Sequence, residues 1–359
     1  MKIAFVMLYN RIGGTAGDCV QFEKTSESLR TLGEDVLQCY LKPDNEGVYD
    51  ANGQRIGLWK DVLADRDIIH CMLPSSFLPK HPLNAKMVCS TIFWRSWTCT
   101  RVMFRNQGCL TWHTVKLAVR DFFAWFGVPT FGLYRRYDLL LPNSQDEAVN
   151  VRQYCKIKKN AEFWVVPNAI DPVPDFVALL PRPDCVPDGD YVLVPAFFAA
   201  RKNQLTLIKA MKSSERPIVF MGDGSCLLRC QHEAAGSNMH FLGHVEHGSK
   251  KFYAVMKYAR VVCLPSNCET PGIAGLEAAA LGARPVVPQE GGTAQYYGWD
   301  AEYIDPLNGV SIRRAIERAW NRGRLDDEHR AKYEHMTWKS VGETTRHAYR
   351  MILKQQGNG

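Results

Sequence analysis

Short apolar runs alternate along the whole chain with stretches in which apolar side chains recur every three or four positions. The runs predict strands over Lys2–Leu8, Asp35–Leu41, Asp67–Leu73, Lys86–Phe93, Asp138–Leu141, Phe163–Val166, Tyr191–Val194, Pro217–Met221, Val261–Leu264 and Arg284–Val287. Strand and helix patterns in strict alternation imply parallel βαβ units, and this many strands is enough for two sheets. Ser144 followed by Glu147 reads as a capping box that turns the strand ending at Leu141 sharply into a helix. Val341, Thr345, Ala348, Tyr349 and Ile352 recur at helical spacing after Thr337, predicting a final amphipathic helix. Between the halves, Pro172, Pro174, Pro181, Pro183 and Pro187 forbid regular structure over 168–190, which reads as a stiff linker with a hinge near residue 170.

Composition agrees with this division. A chain of 359 residues exceeds what one core usually organises. With 46% hydrophobic and 23% charged residues it is neither disordered nor fibrous. The longest uncharged, largely apolar run, Phe122–Tyr134, falls short of the roughly 20 residues a bilayer core requires. Met1-Lys2 leads directly into the first strand without the pattern of a signal peptide, so a cytoplasmic location is expected. The twelve cysteines contain no C-x-x-C pair and read as reduced, buried thiols. Cys226, Cys230 and His232 could be read as metal ligands, but their stretch reads as helix.

The net charge of +7 is unevenly placed. Residues 86–137 carry eight basic side chains, one acid (Asp121) and twelve aromatics. That mixture fits a membrane surface, nucleic acid or a glycan stacked on its rings as a partner of the first half of the chain.

The densest chemistry lies in residues 266–282, SNCETPGIAGLEAAALG. After the strand ending near Leu264, Thr270 is placed to cap a helix beginning at Pro271, with Gly282 as its left-handed stop. The amides of Gly272, Ile273 and Ala274 would then form an anion site at the positive end of a helix dipole. Glu269 and Glu277 frame that site and suit sugar hydroxyls on either side of a phosphate. A plain strand–loop–helix with surface glutamates would show the same pattern.

The E-x7-E spacing of Glu269 and Glu277 resembles the hallmark of glycosyltransferase family 4. Further segments fall in that family's order: Val166 to Asp171 (VPNAID), Arg201-Lys202-Asn203, Gly222-Asp223-Gly224, Phe241 to Val245 (FLGHV) and Gly291-Gly292-Thr293. The resemblance covers residues 138–356 well and the first 137 in outline. It implies an α/β GT-B fold, with two Rossmann-like domains facing a central cleft and a C-terminal helix returning to the first. The first domain, 1–170 with the helix 340–359, would bind the acceptor, and 171–339 the nucleotide-sugar donor.

By the same resemblance, Glu277 would hold the ribose, Glu269 the transferred sugar, and Lys202 with the amides of Ile273 and Ala274 the diphosphate. Gly222, Val245 and Arg201 would complete the donor site, with Gly13 and Gly14 letting backbone approach the cleft. The implied chemistry is retaining, metal-independent transfer from a nucleotide-diphosphate sugar, with no cofactor. The DxD-like triplet Asp188-Gly189-Asp190 lies in the proline-rich linker and reads as a turn.

The chain departs from the family pattern in three places. Ala196-Phe197 stands where Gly-Arg is usual, and Pro271 replaces a residue whose N–H commonly meets the sugar. The histidine that usually ends the fourth strand is absent, leaving His113 as a stand-in for catalysis, while His70 reads as structural. A glycan or glycolipid acceptor, the latter at a membrane surface, is expected near Trp94, Arg95 and Trp97. Hydroxymethylated bases in DNA are an alternative acceptor. A nucleotide-sugar-binding protein without transfer activity, or a sugar-nucleotide epimerase, are the competing classes.

Overall fold

The computed structural model describes residues 1–12, 14, 17–42, 46–74, 84–107, 112–126, 128–129 and 131–354. Packing divides the chain into two compact units. One comprises Met1–Trp94, Phe122–Ala169 and Thr337–Gly359; the other comprises Arg95–Asp121 and Ile170–Met336. The stretch 95–121, which its sequence position places with the first domain, groups with the second unit instead. Hydrogen bonds explain this: Asn106 donates to the Ala200 carbonyl and to Asn203, and Arg105 to the Leu307 carbonyl. Pairing at that separation in the chain leaves no periodic trace in the sequence.

The first unit is built on one sheet. Its strands are β1 (Lys2–Leu8), β2 (Asp35–Leu41), β3 (Gly47–Tyr49), β4 (Arg55–Leu58), β5 (Ile68–Met72), β6 (Lys86–Ser90), β7 (Leu139–Leu141) and β8 (Glu162–Phe163), in the order β4-β3-β2-β1-β5-β6-β7-β8. All neighbours are parallel except β3, which runs antiparallel to both β2 and β4. β1 is buried on both faces between Ile3 and Met7, which is why its sequence is a continuous apolar run rather than an alternation. β3 and β4 escape a reading of the pattern because each is only three or four residues long and contains glycine.

The Trp338–Lys354 helix belongs to this unit, as expected, and buries Val341, Thr345, Ala348, Tyr349 and Ile352. It packs on the Gly17–Thr31 helix at Gly342, where an added Cβ would lie 2.2 Å from the Ser28 hydroxyl. The close approach requires glycine there. His70 is buried between the Tyr349 hydroxyl at 2.5 Å and the Ser90 hydroxyl at 2.9 Å, and burial pulls its pKa down to about 3. It is a neutral structural histidine.

The second unit carries β9 (Val192–Pro195), β10 (Ile218–Met221), β11 (Met239–Phe241), β12 (Val261–Cys263), β13 (Arg284–Pro288) and β14 (Glu302–Ile304). They form a fully parallel sheet in the order β11-β10-β9-β12-β13-β14. This is the doubly wound Rossmann order, in which the progression of strands across the sheet reverses between β9 and β12. β11 and β14, at three residues each, are like β3 and β4 too short for periodicity to reveal. Among the described residues no helix is long and apolar enough to cross a membrane.

Ser144 caps the Gln145–Tyr154 helix as the sequence predicts, accepting from the Glu147 amide at 3.0 Å. Glu147 is fully buried, and its side chain reaches the Asn143 amide rather than that of Ser144, so only the Ser144 half of the box forms. Its carboxylate accepts from the Asn143 amide at 3.0 Å, from the Phe93 amide at 2.8 Å and from the Thr91 hydroxyl. It thereby ties the ends of β6 and β7 together. Burial outweighs these donors and pushes its pKa up to about 7.

The folded chain therefore binds this proton over a range in which the unfolded chain has released it. Stability attributable to Glu147 is present at acidic pH and declines as pH rises from about 4.5 to about 7, by up to about 3 kcal/mol. Denaturant unfolding across that window should show wild type losing stability relative to Glu147→Gln as pH rises. A gap between the two proteins that stays constant with pH would contradict this.

Candidate functional site

In a doubly wound sheet, the strands on either side of the chain reversal send their loops in opposite directions and leave a crevice at their carboxyl ends. Here the two loops are residues 196–203, after β9, and residues 264–272, after β12. They bring Lys202 and Glu269 together: the Lys202 ammonium lies 2.5 Å from Glu269 Oε1. The Ser266 hydroxyl donates to the same oxygen at 2.5 Å.

One residue fixes the relative position of the loops. Asn203 is buried with a left-handed backbone, φ 59°, and its side-chain amide donates to the carbonyls of Pro265 at 2.9 Å and Pro306 at 2.8 Å. Its oxygen accepts from Asn106 and Thr206, each at 2.7 Å. The Asn267 amide adds a backbone link to the Arg201 carbonyl at 3.0 Å.

The loop after β12 differs from the sequence expectation. Thr270 does not cap the following helix and Pro271 does not begin it. The Thr270–Pro271 bond is cis, Gly272 occupies the N-cap position with φ 87°, and the helix spans Ile273–Ala280. Only glycine enters this left-handed conformation freely, and an added Cβ there would also meet Leu264 at 2.7 Å. Ile273 and Ala274 thus occupy the first helical turn, whose N–H groups have no acceptor within the helix. Tyr297, fully buried, donates to the Gly272 carbonyl at 3.0 Å and holds this helix start in place. Gly282 follows the helix with φ 94°, as the predicted stop requires.

The two glutamates sit in different electrostatic environments. Burial raises the pKa of Glu269, but the charge of Lys202, hydrogen bonds from Lys202 and Ser266, and the charge of Arg201 outweigh it, so its carboxyl is held below the usual range. Burial raises Glu277, and a hydrogen bond from His247 at 2.6 Å only partly offsets it. His247 is missing from the residues the sequence singles out. Its only signal is position, two residues beyond the FLGHV segment and just before the Ser249-capped helix Lys250–Lys257.

The other predicted residues scatter in role. Gly222 has φ 148°, and its absent Cβ makes room for the Ala196 carbonyl, which would lie 2.3 Å away. It shapes the loop after β9 by close backbone approach. Arg201 is exposed beside Lys202, and Val245 is half-buried. Gly14 closes a tight turn, its amide donating to the Arg11 carbonyl at 3.0 Å. Gly13 and the His113 side chain lie outside the described residues.

Trp94 is half-buried in the first unit, while Trp97 is exposed at the start of the Trp97–Gln107 helix in the second. Arg95 is buried and forked onto the Asp121 carboxylate, with contacts of 2.7 and 2.9 Å to its two oxygens. That guanidinium holds a buried ion pair together and does not face solvent.

Residues 185–333 match the family model described as glycosyl transferases group 1. Over 129 residues the chain is 28% identical to the D-rhamnosyltransferase WbpZ of Pseudomonas aeruginosa, and the match spans 34% of this chain and 34% of that protein. The chain thus covers about a third of the length of this curated relative. Among solved structures it is similar to sucrose-phosphate synthase from Thermosynechococcus elongatus, at 17% identity, covering 99% of this chain and 97% of that one with a TM-score of 0.63. It is also similar to HepE of Anabaena in complex with UDP and glucose, at 13% identity, covering 99% and 98% of the two chains with a TM-score of 0.57. At these identities the likeness establishes the fold, which is GT-B.

The backbone of Glu269 is seated against a glycine turn. Glu269 forms a bridge with Gly291, and the Gly292 amide donates to the Glu269 carbonyl at 3.1 Å. Gly291 has φ 108°, and a Cβ there would lie 1.9 Å from the Glu269 carbonyl oxygen. Gly291→Ala should therefore cost about 2 kcal/mol or more, from left-handed strain plus the displaced loop. Thermal unfolding should show a lowered Tm, with little change for Gly132→Ala, where a Cβ meets nothing within 4 Å. Equal melting of wild type and Gly291→Ala would remove the constraint.

Proposed function

We propose that the protein is a retaining glycosyltransferase that moves a sugar from a nucleotide-diphosphate sugar to a hydroxyl of a glycan or glycolipid. The observation that carries this reading is the convergence of Lys202, Glu269 and the start of the Ile273–Ala280 helix at the switch of the second sheet. The match of residues 185–333 to the group 1 model supports it, as do UDP and glucose in the related HepE structure.

In this reading the diphosphate lies on Lys202 and on the amides of Ile273 and Ala274, where a fixed cation and a helix dipole favour an anion. Glu269, kept ionised by Lys202, accepts from hydroxyls of the transferred sugar. Glu277, braced by His247, accepts from the ribose. Arg201, exposed beside Lys202, adds positive potential where Ala196-Phe197 replaces the family's Gly-Arg.

The bond between the sugar's anomeric carbon and the diphosphate oxygen breaks while a bond from that carbon to the acceptor oxygen forms on the same face. The acceptor's proton passes to the departing phosphate oxygen. Negative charge grows on the diphosphate as the bond breaks, so donors already aimed at it bind the transition state more tightly than the substrate. Charge stabilisation by these groups assigns no role to a divalent cation. Trp94 and Trp97 are the rings proposed to meet the acceptor. A glycan, whose ring faces stack on indoles, suits them better than duplex DNA, for which the rings offer no base-edge readout.

Calorimetric titration with UDP should give weaker binding for Glu277→Ala, by about ten- to a hundredfold, because a charge-assisted hydrogen bond is worth about 1.5–3 kcal/mol. Glu269→Ala should leave UDP affinity near wild type and lower turnover, followed by mass spectrometry of products from a panel of nucleotide sugars. Unchanged UDP affinity in Glu277→Ala would reverse the assignment. Turnover should also survive excess chelator; its loss, restored by manganese, would demand a metal-dependent route.

A further inference from the structure

The second unit carries a basic groove that the donor site does not use. Its volume is about 1160 Å³, above the roughly 300–1,000 Å³ typical of a site for one small molecule. Three helices line it. Arg101 and Arg105 come from Trp97–Gln107, Lys209 from Gln204–Met211, and Arg313 and Arg314 from Gly309–Arg322. Spacing accounts for the convergence: 101 and 105 share a helix face, and Val310, Arg313, Arg314, Glu317, Arg318 and Asn321 recur at three- and four-residue intervals along one face of the last helix.

The acids lining the groove do not neutralise it. Glu317 is paired with Arg216 at 3.2 Å, while Arg318 turns to Glu302 at 2.6 Å. Arg101, Lys209, Arg313 and Arg314 are exposed and have no ion-pair partner among the described residues. Asp305 is the remaining acid, its carboxylate accepting from the Leu307 amide at 2.9 Å. The groove is also tied to the donor loop: Thr206 in its wall donates to Asn203, and the Pro306 carbonyl beside Leu307 accepts from Asn203.

We propose that this groove holds an acidic oligosaccharide, a glycan bearing carboxylates along its length, as the acceptor chain or an extension of it. The proposal rests on the transferase reading above. Cations spread over three helices match charges repeated along a chain better than a single point anion. Guanidinium forks engage carboxylates in pairs. No aromatic ring lines the groove, so stacking of nucleic-acid bases has no platform. It is concave, and Leu307 and Val310 are its only large apolar side chains, too few to enter a bilayer, which suits a chain rather than a lipid surface.

The test is fluorescence anisotropy with a labelled oligogalacturonate, at low and raised sodium chloride, on wild type and on Arg101→Gln/Arg313→Gln/Arg314→Gln. Neutral dextran, duplex DNA and phosphatidylglycerol vesicles serve as competitors. Wild type should bind oligogalacturonate, more weakly as salt rises, and the triple variant should bind it about tenfold or more weakly. UDP affinity should be equal in the two proteins, which also reports that the variant is folded. Absent binding, equal binding by the variant, or tighter capture of DNA or vesicles through the same arginines would overturn the proposal. UDP binding to wild type keeps the two readings apart: if UDP binds and oligogalacturonate does not, only the groove assignment fails. If oligogalacturonate binds and UDP does not, the donor site is misread.

Discussion

The second unit depends on one buried amide. Asn203 uses both donors and both acceptor positions of its side chain, to Pro265, Pro306, Asn106 and Thr206. A buried amide left half satisfied costs free energy comparable to its lost hydrogen bonds, so such a junction tolerates one arrangement of its neighbours. Those neighbours are the first turn of the Gln204–Met211 helix, the loop after β12, the turn before the Gly309–Arg322 helix and the helix that carries Arg105. Lys202 is the residue immediately before this junction, and its reach to Glu269 follows from where Asn203 holds the chain.

Around that junction, backbone close approach sets the rest of the geometry. Gly222 and Gly291 each occupy a place where a Cβ would overlap a carbonyl oxygen, of Ala196 and of Glu269 respectively. Side chains then act on a rigid frame: Tyr297 fixes the helix start, Ser266 and Lys202 fix the Glu269 carboxylate, and His247 fixes Glu277. Preorganisation of this kind allows fixed donors to favour a developing charge without reorganising as it forms. The opposite directions of the two glutamate pKa shifts come from the same frame, since Glu269 faces cations and Glu277 faces a single imidazole.

The first unit solves a different problem with a buried acid. Glu147 gathers three donors from the two segments that follow β6 and β7, and burial makes it titrate near neutrality. Sequence spacing shows the Ser144 cap and not this duty of Glu147, because Thr91 and Phe93 reach Glu147 only through the pairing of β6 with β7.

The sequence alone determined the class of fold and most of its strands. Long, doubly buried parallel strands must be continuous apolar runs, and glycine, proline and capping residues punctuate them; the ranges of β1 and β2 follow directly from that rule. It also determined which ionisable side chains, Glu269, Glu277 and Lys202, stand in the segments around the switch of the second sheet, since residue type does not depend on conformation. Tertiary structure alone decided what those charges meet. The helix after β12 begins at Ile273 rather than Pro271 because Gly272 takes the N-cap position in a left-handed conformation, a backbone choice no periodicity encodes. Arg95 became a buried partner of Asp121, His247 a partner of Glu277, and residues 95–121 part of the second unit. Each depends on contacts between residues far apart in the chain, where local pattern carries no information and packing makes the selection.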